Sequence, residues 1–358
     1  MAEEFIRPAI KELKEYIPGK TPKEPGIVKL SSNENPFGPS PKTLEAIAKE
    51  SKNLQIYPDQ KSILLREALA RKLKVEEGSI IIGNGSDEIM QLAAATFLKP
   101  GEEAVIPKNT FSVYEFVTRL FDSSPIFVDL NSFMQDLSAI AKAVTPKTKM
   151  IFLCNPHNPT GTIFTDKELE VFLKRIPESV LVIIDEAYRE YVESPYFPDS
   201  LEYTREGKNV LVLRTFSKFY GLAGLRAGYG IARKELVDYM FRAKLPFNVN
   251  RLAQVGARAA LDDIEFQDKT YKNNIEGAKY LYAELDKLGL KYKKTDSNFI
   301  FINLKKSADD LFLAMMKQGV IIRPLTSFGL PEAIRVSIGT KEQNEKFVAA
   351  LPKALPSL

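Results

Sequence analysis

Through the middle of the chain, short apolar runs alternate with stretches in which apolar residues recur every three or four positions. The runs EAVIP, SPIFVDL, KMIFLCNP, VLVIIDEAY and NVLVLRTFSK read as short buried strands. Between them, SDEIMQLAAATFL puts Ile89, Leu92, Ala93 and Phe97 on one helical face. TDKELEVFLKRI opens with Thr165 and Glu168 at capping-box spacing, then lines up Leu169, Phe172, Leu173 and Ile176. Near-continuous apolar strands separated by helices predict an α/β fold, with a mostly parallel sheet covered by helices on both faces.

The pattern changes near residue 245. A long helical region leads to NFIFINL, a helix near ADDLFLAMMKQ, and the strand-like GVIIRPL and AIRVSIG. That order predicts a smaller α+β domain. The expected organisation is an N-terminal arm over 1–40 joining the small domain, a large domain over 41–245, and the small domain over 246–358. The arm is rich in proline at YIPGKTPKEPG and reads as extended chain.

Composition narrows the classes. The 358 residues carry a formal charge of +4, with 44% hydrophobic and 27% charged residues, as in an ordinary globular protein. No block of lysine and arginine exceeds two or three residues, so no nucleic-acid footprint is expected; a mild positive balance suits anionic small molecules. The first residues lack the regions of a signal peptide, and no apolar run reaches the ~20 residues that span a bilayer. The one cysteine, Cys154, excludes an internal disulfide and reads as a small buried filler, so a cytoplasmic protein without membrane contact is expected.

In open parallel sheets ligands bind beyond the carboxyl ends of the strands. There the sequence offers NPHNPTG, DEAY, TFSK and, earlier, the glycine turn of IIIGNGSDE. One rim should therefore gather Asn158, Asp185, Tyr188, Ser217, Lys218, Arg226 and a helix N-terminus. Taken alone, Lys218 is either a solvated charge or a working amine. The helix at GNGSDE is either an ordinary helix with Ser86 as N-cap or an anion site, where Asp87 and Glu88 would repel the anion unless turned away. A lysine, a buried acid, a tyrosine and a phosphate cradle together match pyridoxal phosphate, which needs all four. No metal is expected.

NPHNPTG, DEAY, TFSKFYGLAGLRAGYG and the early LSSNENPFGPSP together resemble fold-type-I pyridoxal-phosphate aminotransferases, and within them the histidinol-phosphate branch. The resemblance runs over nearly the whole chain. It implies that Lys218 is the lysine that carries the cofactor and that Asp185 pairs with its ring nitrogen. Asn158 and Tyr188 then meet its phenolic oxygen. Gly85, Ser86 and Asp87, with Ser217 and Arg226, hold its phosphate, and Phe111 stacks on its ring. Tyr57 is implied to reach the phosphate from the other subunit of a homodimer with shared sites. Arg335 corresponds to the carboxylate-binding arginine and Arg323 to a second anion-binding arginine, with Tyr16 and Asn158 also at the substrate. Two positions depart from the family pattern: His157 stands where asparagine is common, and Asn109 where proline is usual. His157 reads as a loop residue.

The implied reaction passes an amino group between histidinol phosphate and 2-oxoglutarate, giving imidazole acetol phosphate and glutamate. An aromatic-amino-acid aminotransferase would use the same residues, and a threonine-phosphate decarboxylase would share the anion-binding arginines. From another class, a regulatory binding module could keep the fold, but the complete lysine site argues against it.

Overall fold

The computed structural model describes residues 5–13, 15 and 26–355. Its strands are β1 (Val28–Lys29), β2 (Ile80–Asn84), β3 (Glu103–Pro107), β4 (Ser124–Val128), β5 (Thr148–Cys154), β6 (Leu181–Asp185), β7 (Val210–Thr215), β8 (Ala227–Ile231), β9 (Lys291–Lys293), β10 (Phe299–Asn303), β11 (Val320–Ile321), β12 (Arg323–Pro324) and β13 (Ala333–Ser337). The helices are α1 (Pro8–Glu12), α2 (Pro41–Glu50), α3 (Ile63–Leu73), α4 (Ser86–Phe97), α5 (Val113–Leu120), α6 (Leu137–Lys142), α7 (Asp166–Leu173), α8 (Ser200–Arg205), α9 (Lys234–Ala243), α10 (Arg251–Leu261), α11 (Ile264–Lys287), α12 (Ala308–Lys317) and α13 (Lys341–Ala354).

The large sheet runs in the order β2-β8-β7-β6-β5-β3-β4. From β7 to β4 all neighbours are parallel, and β8 is antiparallel to both β2 and β7. Strand side chains alternate between faces, and each apolar run feeds two cores. Ile151, Leu153, Val182, Ile184 and Val212 enter one core with α3, α7 and α10. Met150, Phe152, Ile183, Leu211 and Leu213 enter the other with α4, α5 and α9. Covering both faces is what makes these runs apolar throughout. The fold is α/β.

Several local expectations hold. Thr165 and Glu168 form a complete capping box, although α7 ends at Leu173, short of Ile176. Others need correction. SPIFVDL is a strand, but β4 is the outer strand of the sheet and mostly exposed or half-buried. AGYGI, not singled out as a strand, is the buried strand β8. GVIIRPL divides: β11 pairs in parallel with β1, while β12 joins the antiparallel sheet β12-β13-β10-β9.

That small sheet packs with α11, α12 and α13 around Leu281, Ile302, Leu311, Ile334 and Phe347. The change of core falls later than the expected boundary at 245/246. Val249, Ala253, Ala257 and Leu261 belong to the large core, since α10 packs on α2 and α3. α11 then spans both, with Tyr271 against the large core and Leu281 and Leu285 in the small one. The arm also divides. Residues 28–30 join the small core, whereas Arg7 donates to Leu120 O at the end of α5 and pairs with Asp122.

Candidate active site

The strand directions bring four turns to one rim. Cys154 ends β5 beside Asp185 at the end of β6, Asp185 faces Leu213 on β7, and Thr215 faces Gly228 at the start of β8. Asn84, the last residue of β2, faces Ala227. The two antiparallel pairings cancel, so β2 points the same way as β7 and delivers α4 to the same edge.

Asp185 is 4% exposed. Its Oδ2 accepts from the Tyr114 hydroxyl at 2.7 Å and its Oδ1 from the Ala187 N–H at 3.2 Å. Burial pushes its carboxyl up to about 6, against these hydrogen bonds. Lys218 lies one strand over, half-buried, and its Nζ donates to Ser32 O at 3.0 Å. Burial, helped by the Arg335 charge, brings its amine down to about 8. Lys218 is thus poised between ammonium and free amine near neutral pH.

At the N-terminus of α4 the N-cap is Gly85, not Ser86, which is the first helical residue. Gly85 has φ of 80°, and a Cβ there would stand 2.6 Å from Arg226 Nη2. Only glycine leaves that approach open. Arg226 closes the cradle: Nη1 donates to Ser217 Oγ at 3.4 Å and Nη2 to Asp87 Oδ2 at 3.1 Å. The two acids that would repel an anion are both engaged, Asp87 by Arg226 and Glu88 by the Asn84 N–H and the Asn248 amide.

Opposite, Arg335 is 6% exposed, far from a surface charge. Its Nη1 donates to Asn158 Oδ1 at 2.5 Å and its Nη2 to Ser31 O at 2.9 Å. Its guanidinium lies over Phe299 and Phe328. Arg323 is the cross-strand partner of Arg335, so the two side chains leave the sheet on one face. Arg323 is half-buried, with Nη2 donating to Ser327 Oγ at 3.3 Å and its guanidinium also near Phe328.

Tyr188 is buried, its hydroxyl accepting from the Asn33 amide at 2.9 Å. Phe111 is half-buried and sits edge-on to Tyr114. Tyr57 stands apart from the other residues. It is 76% exposed and stacks on Phe247, with ring centroids 4.7 Å apart. Tyr16 lies outside the described residues.

Sequence reasoning missed four features. Ser31, Ser32 and Asn33 stitch Arg335, Lys218 and Tyr188 together through successive positions; small polar residues directly after an apolar Leu30 were the available signal. Tyr114, which meets Asp185, lies three positions past Phe111, on α5, a helix that no sequence pattern singled out. Arg214 grips Glu186 Oε2 through Nε and Nη2 at 2.9 and 2.7 Å, a buried ion pair tying the end of β7 to the end of β6. Finally, Asn109 takes φ of 54°, closed to the proline usual there, and donates to Phe328 O at 2.6 Å across the cleft.

His157, read as a loop residue, is fully buried in its loop. Its Nδ1 meets Thr160 Oγ1 at 2.8 Å, and burial lowers its ring to about 3, so it stays neutral. The Cys154 thiol is pushed up to about 12 by burial and is inert at neutral pH. Among the described residues, no three His, Cys, Asp or Glu side chains are grouped to hold a metal.

An amine of lowered basicity, a buried acid on the neighbouring strand and a glycine-capped helix closed by an arginine define a site of the fold-type-I pyridoxal-phosphate class. The donor set fits that cofactor: a nucleophilic nitrogen, an anion for a ring cation, and a cradle of N–H groups that a Cβ would fill. The chain belongs to the family of class I and II aminotransferases, whose family model matches residues 25–351. It is 46% identical to a histidinol-phosphate aminotransferase of Moorella thermoacetica over 98% of this chain and 92% of that protein. Against the enzyme of the same name from Symbiobacterium thermophilum it is 42% identical over 98% of each. The fold matches the crystal structure of histidinol-phosphate aminotransferase from Sinorhizobium meliloti in complex with pyridoxal-5'-phosphate. That match has a TM-score of 0.90 at 24% identity and covers 99% and 98% of the two chains. Among the described residues, no helix is long and apolar enough to cross a membrane.

Proposed function

We propose that this aminotransferase passes an amino group between L-histidinol phosphate and 2-oxoglutarate, yielding imidazole acetol phosphate and L-glutamate, as a step of histidine biosynthesis. One observation carries the substrate class: Arg323 and Arg335 stand directly opposite each other on one face of the small sheet. Like charges so placed repel, and an anion bound by both reverses the sign. Forked guanidinium groups accept a carboxylate or a phosphate, so the pair suits both glutamate and a phosphate ester. The relatives named above support the same reading.

Pyridoxal phosphate, when bound, supplies an electron-accepting ring to the substrate carbon. Lys218 would hold the cofactor and, once freed by substrate, move a proton at that carbon; an amine near 8 can both take and return it. Asp185 would pair with the ring nitrogen, and Asn158 and Tyr188 with the phenolic oxygen. The Gly85, Ser86 and Asp87 backbone would hold the phosphate with Ser217 and Arg226, while Phe111 covers the ring. Arg335 and Asn158 would bind the substrate, and Arg323 and Tyr16 would contact its second anionic group.

The protein would act as a homodimer with shared sites. Leu54, Ile56, Tyr57, Leu64, Leu245 and Phe247 are all exposed. The segments that bear them are joined by the Tyr57–Phe247 stack and by Lys244 donating to Gln60 O. An apolar surface of that kind supports a second copy over it, to which Tyr57 would contribute. A single cysteine, buried and inert, supports the cytoplasm as the compartment.

The test compares kcat/KM for histidinol phosphate and phenylalanine as amino donors, with 2-oxoglutarate as acceptor, in the wild type and Arg323→Ala. Losing a charge-assisted hydrogen bond costs about 1.5–3 kcal/mol, so the phosphate ester should lose roughly ten- to more than a hundredfold. Phenylalanine, whose carboxylate Arg335 would hold, should lose much less than the phosphate ester, whose anion carries more charge and reaches further toward Arg323. A wild type that prefers phenylalanine, or a donor ratio unmoved by the substitution, replaces this reading with the aromatic aminotransferase.

A further inference from the structure

The Tyr114 side chain is not used in any step above, yet it makes the shortest side-chain contact of Asp185. It is fully buried on α5, stacked on Phe152 with centroids 4.9 Å apart, and edge-on to Phe111. Its hydroxyl donates to Asp185 Oδ2 at 2.7 Å, with the Cys154 thiol also beside it. Burial raises the phenol well above its ordinary range, so it remains protonated and can only donate to the carboxylate.

The surroundings of Asp185 otherwise disfavour its charge. Asp87 on α4 and Glu186 next in sequence are acids that push its carboxyl up, as burial does more strongly. The neighbouring Cys154 thiol on β5 is neutral at physiological pH. The Ala187 N–H and the Tyr114 hydroxyl pull the other way, and the phenol is the stronger of the two. Without it, and before cofactor binds, Oδ2 would have no hydrogen-bond donor among the described residues, and a buried carboxylate in that state favours its protonated form.

We propose that Tyr114 is a positioning residue for the reaction, its hydroxyl holding Asp185 ionised and in one orientation for the ring nitrogen of the cofactor. The inference rests on the assignment of Asp185 to that nitrogen.

The test measures binding of two probes to the full-length apo-protein at pH 7: pyridoxal phosphate, and its 1-deaza analogue, in which carbon replaces the ring nitrogen. Tyr114→Phe keeps the ring stack and removes only the hydroxyl. It should weaken pyridoxal phosphate roughly ten- to a hundredfold, the loss of one hydrogen bond to a charged group. The deaza analogue, with no nitrogen for Asp185 to meet, should keep its affinity. In an Asp185→Asn background the same substitution should change neither. Equal weakening of both probes makes Tyr114 a packing residue and overturns the proposal, as does unchanged binding of pyridoxal phosphate. A loss that persists in the Asp185→Asn background overturns it too. Should Tyr114→Phe not fold, 3-fluorotyrosine at position 114 keeps the shape and donates more strongly. It should tighten pyridoxal phosphate relative to the analogue, and an unchanged ratio refutes the role. A wild type that binds neither probe refutes the cofactor reading itself, a separate outcome.

Discussion

If Lys218 holds pyridoxal phosphate as proposed, its lowered basicity has a direct kinetic consequence. Only a neutral amine can attack the cofactor carbonyl, and the fraction that is neutral follows from where the group titrates. An ordinary lysine at 10.5 is neutral in about one molecule in three thousand at pH 7. At about 8, Lys218 is neutral in roughly one in ten, a gain of about three-hundredfold. Mixing apo-protein with pyridoxal phosphate in a stopped-flow spectrometer, and following the visible band of the linked cofactor from pH 6 to 10, reads that fraction directly. The capture rate should climb about tenfold per pH unit below 8 and level off above it. Burial is the main cause and is hard to remove alone. The second is the Arg335 charge, which Arg335→Gln deletes. With that cation gone the ammonium is less disfavoured, so the break must move to higher pH. A wild-type break near 10.5 would refute the poised amine. A break that Arg335→Gln leaves in place would refute its electrostatic origin.

Two further outcomes test the architecture. Gly221 has φ of 68°, and a Cβ there would meet Gly38 O at 2.1 Å, locking the lysine loop against the early polar segment. Gly221→Ala should cost about 2–4 kcal/mol in denaturant unfolding. Gly207→Ala, at φ of 78° with nothing within 4 Å, should cost only about 1–2 kcal/mol; equal losses would deny the interlock. If sites are shared, co-refolding Lys218→Ala with an inactive Tyr57→Ala variant should recover roughly a quarter of wild-type activity, from heterodimers with one intact site. No recovery despite heterodimer formation would rule out the shared site.

The misreadings share a cause. SPIFVDL carries the same local pattern as its neighbours, but β4 has a partner on one side only. GVIIRPL is one apolar run, yet β1 arrives from some 290 residues upstream to claim its first half. The boundary near 245 follows a real change of pattern. Even so, the small apolar residues of α10 fit against α2 and α3, and nothing local says which core will receive them.

The site divides in the same way. Glycines, the acid ending VLVII, and the lysine after NVLVLR were legible because loops at strand ends carry polar residues whose cost must be met by a ligand or a partner. The partners were not legible. Tyr114 approaches Asp185 across 71 positions, Asn33 approaches Tyr188 across 155, and Ser31 approaches Arg335 across 304. By itself the sequence determined most of the strands and helices and which polar turns end the parallel strands, since periodicity and backbone preference act over a few residues. Tertiary structure alone decided which hydroxyl meets which carboxylate, because that depends on strand order and on chain returning from hundreds of residues away.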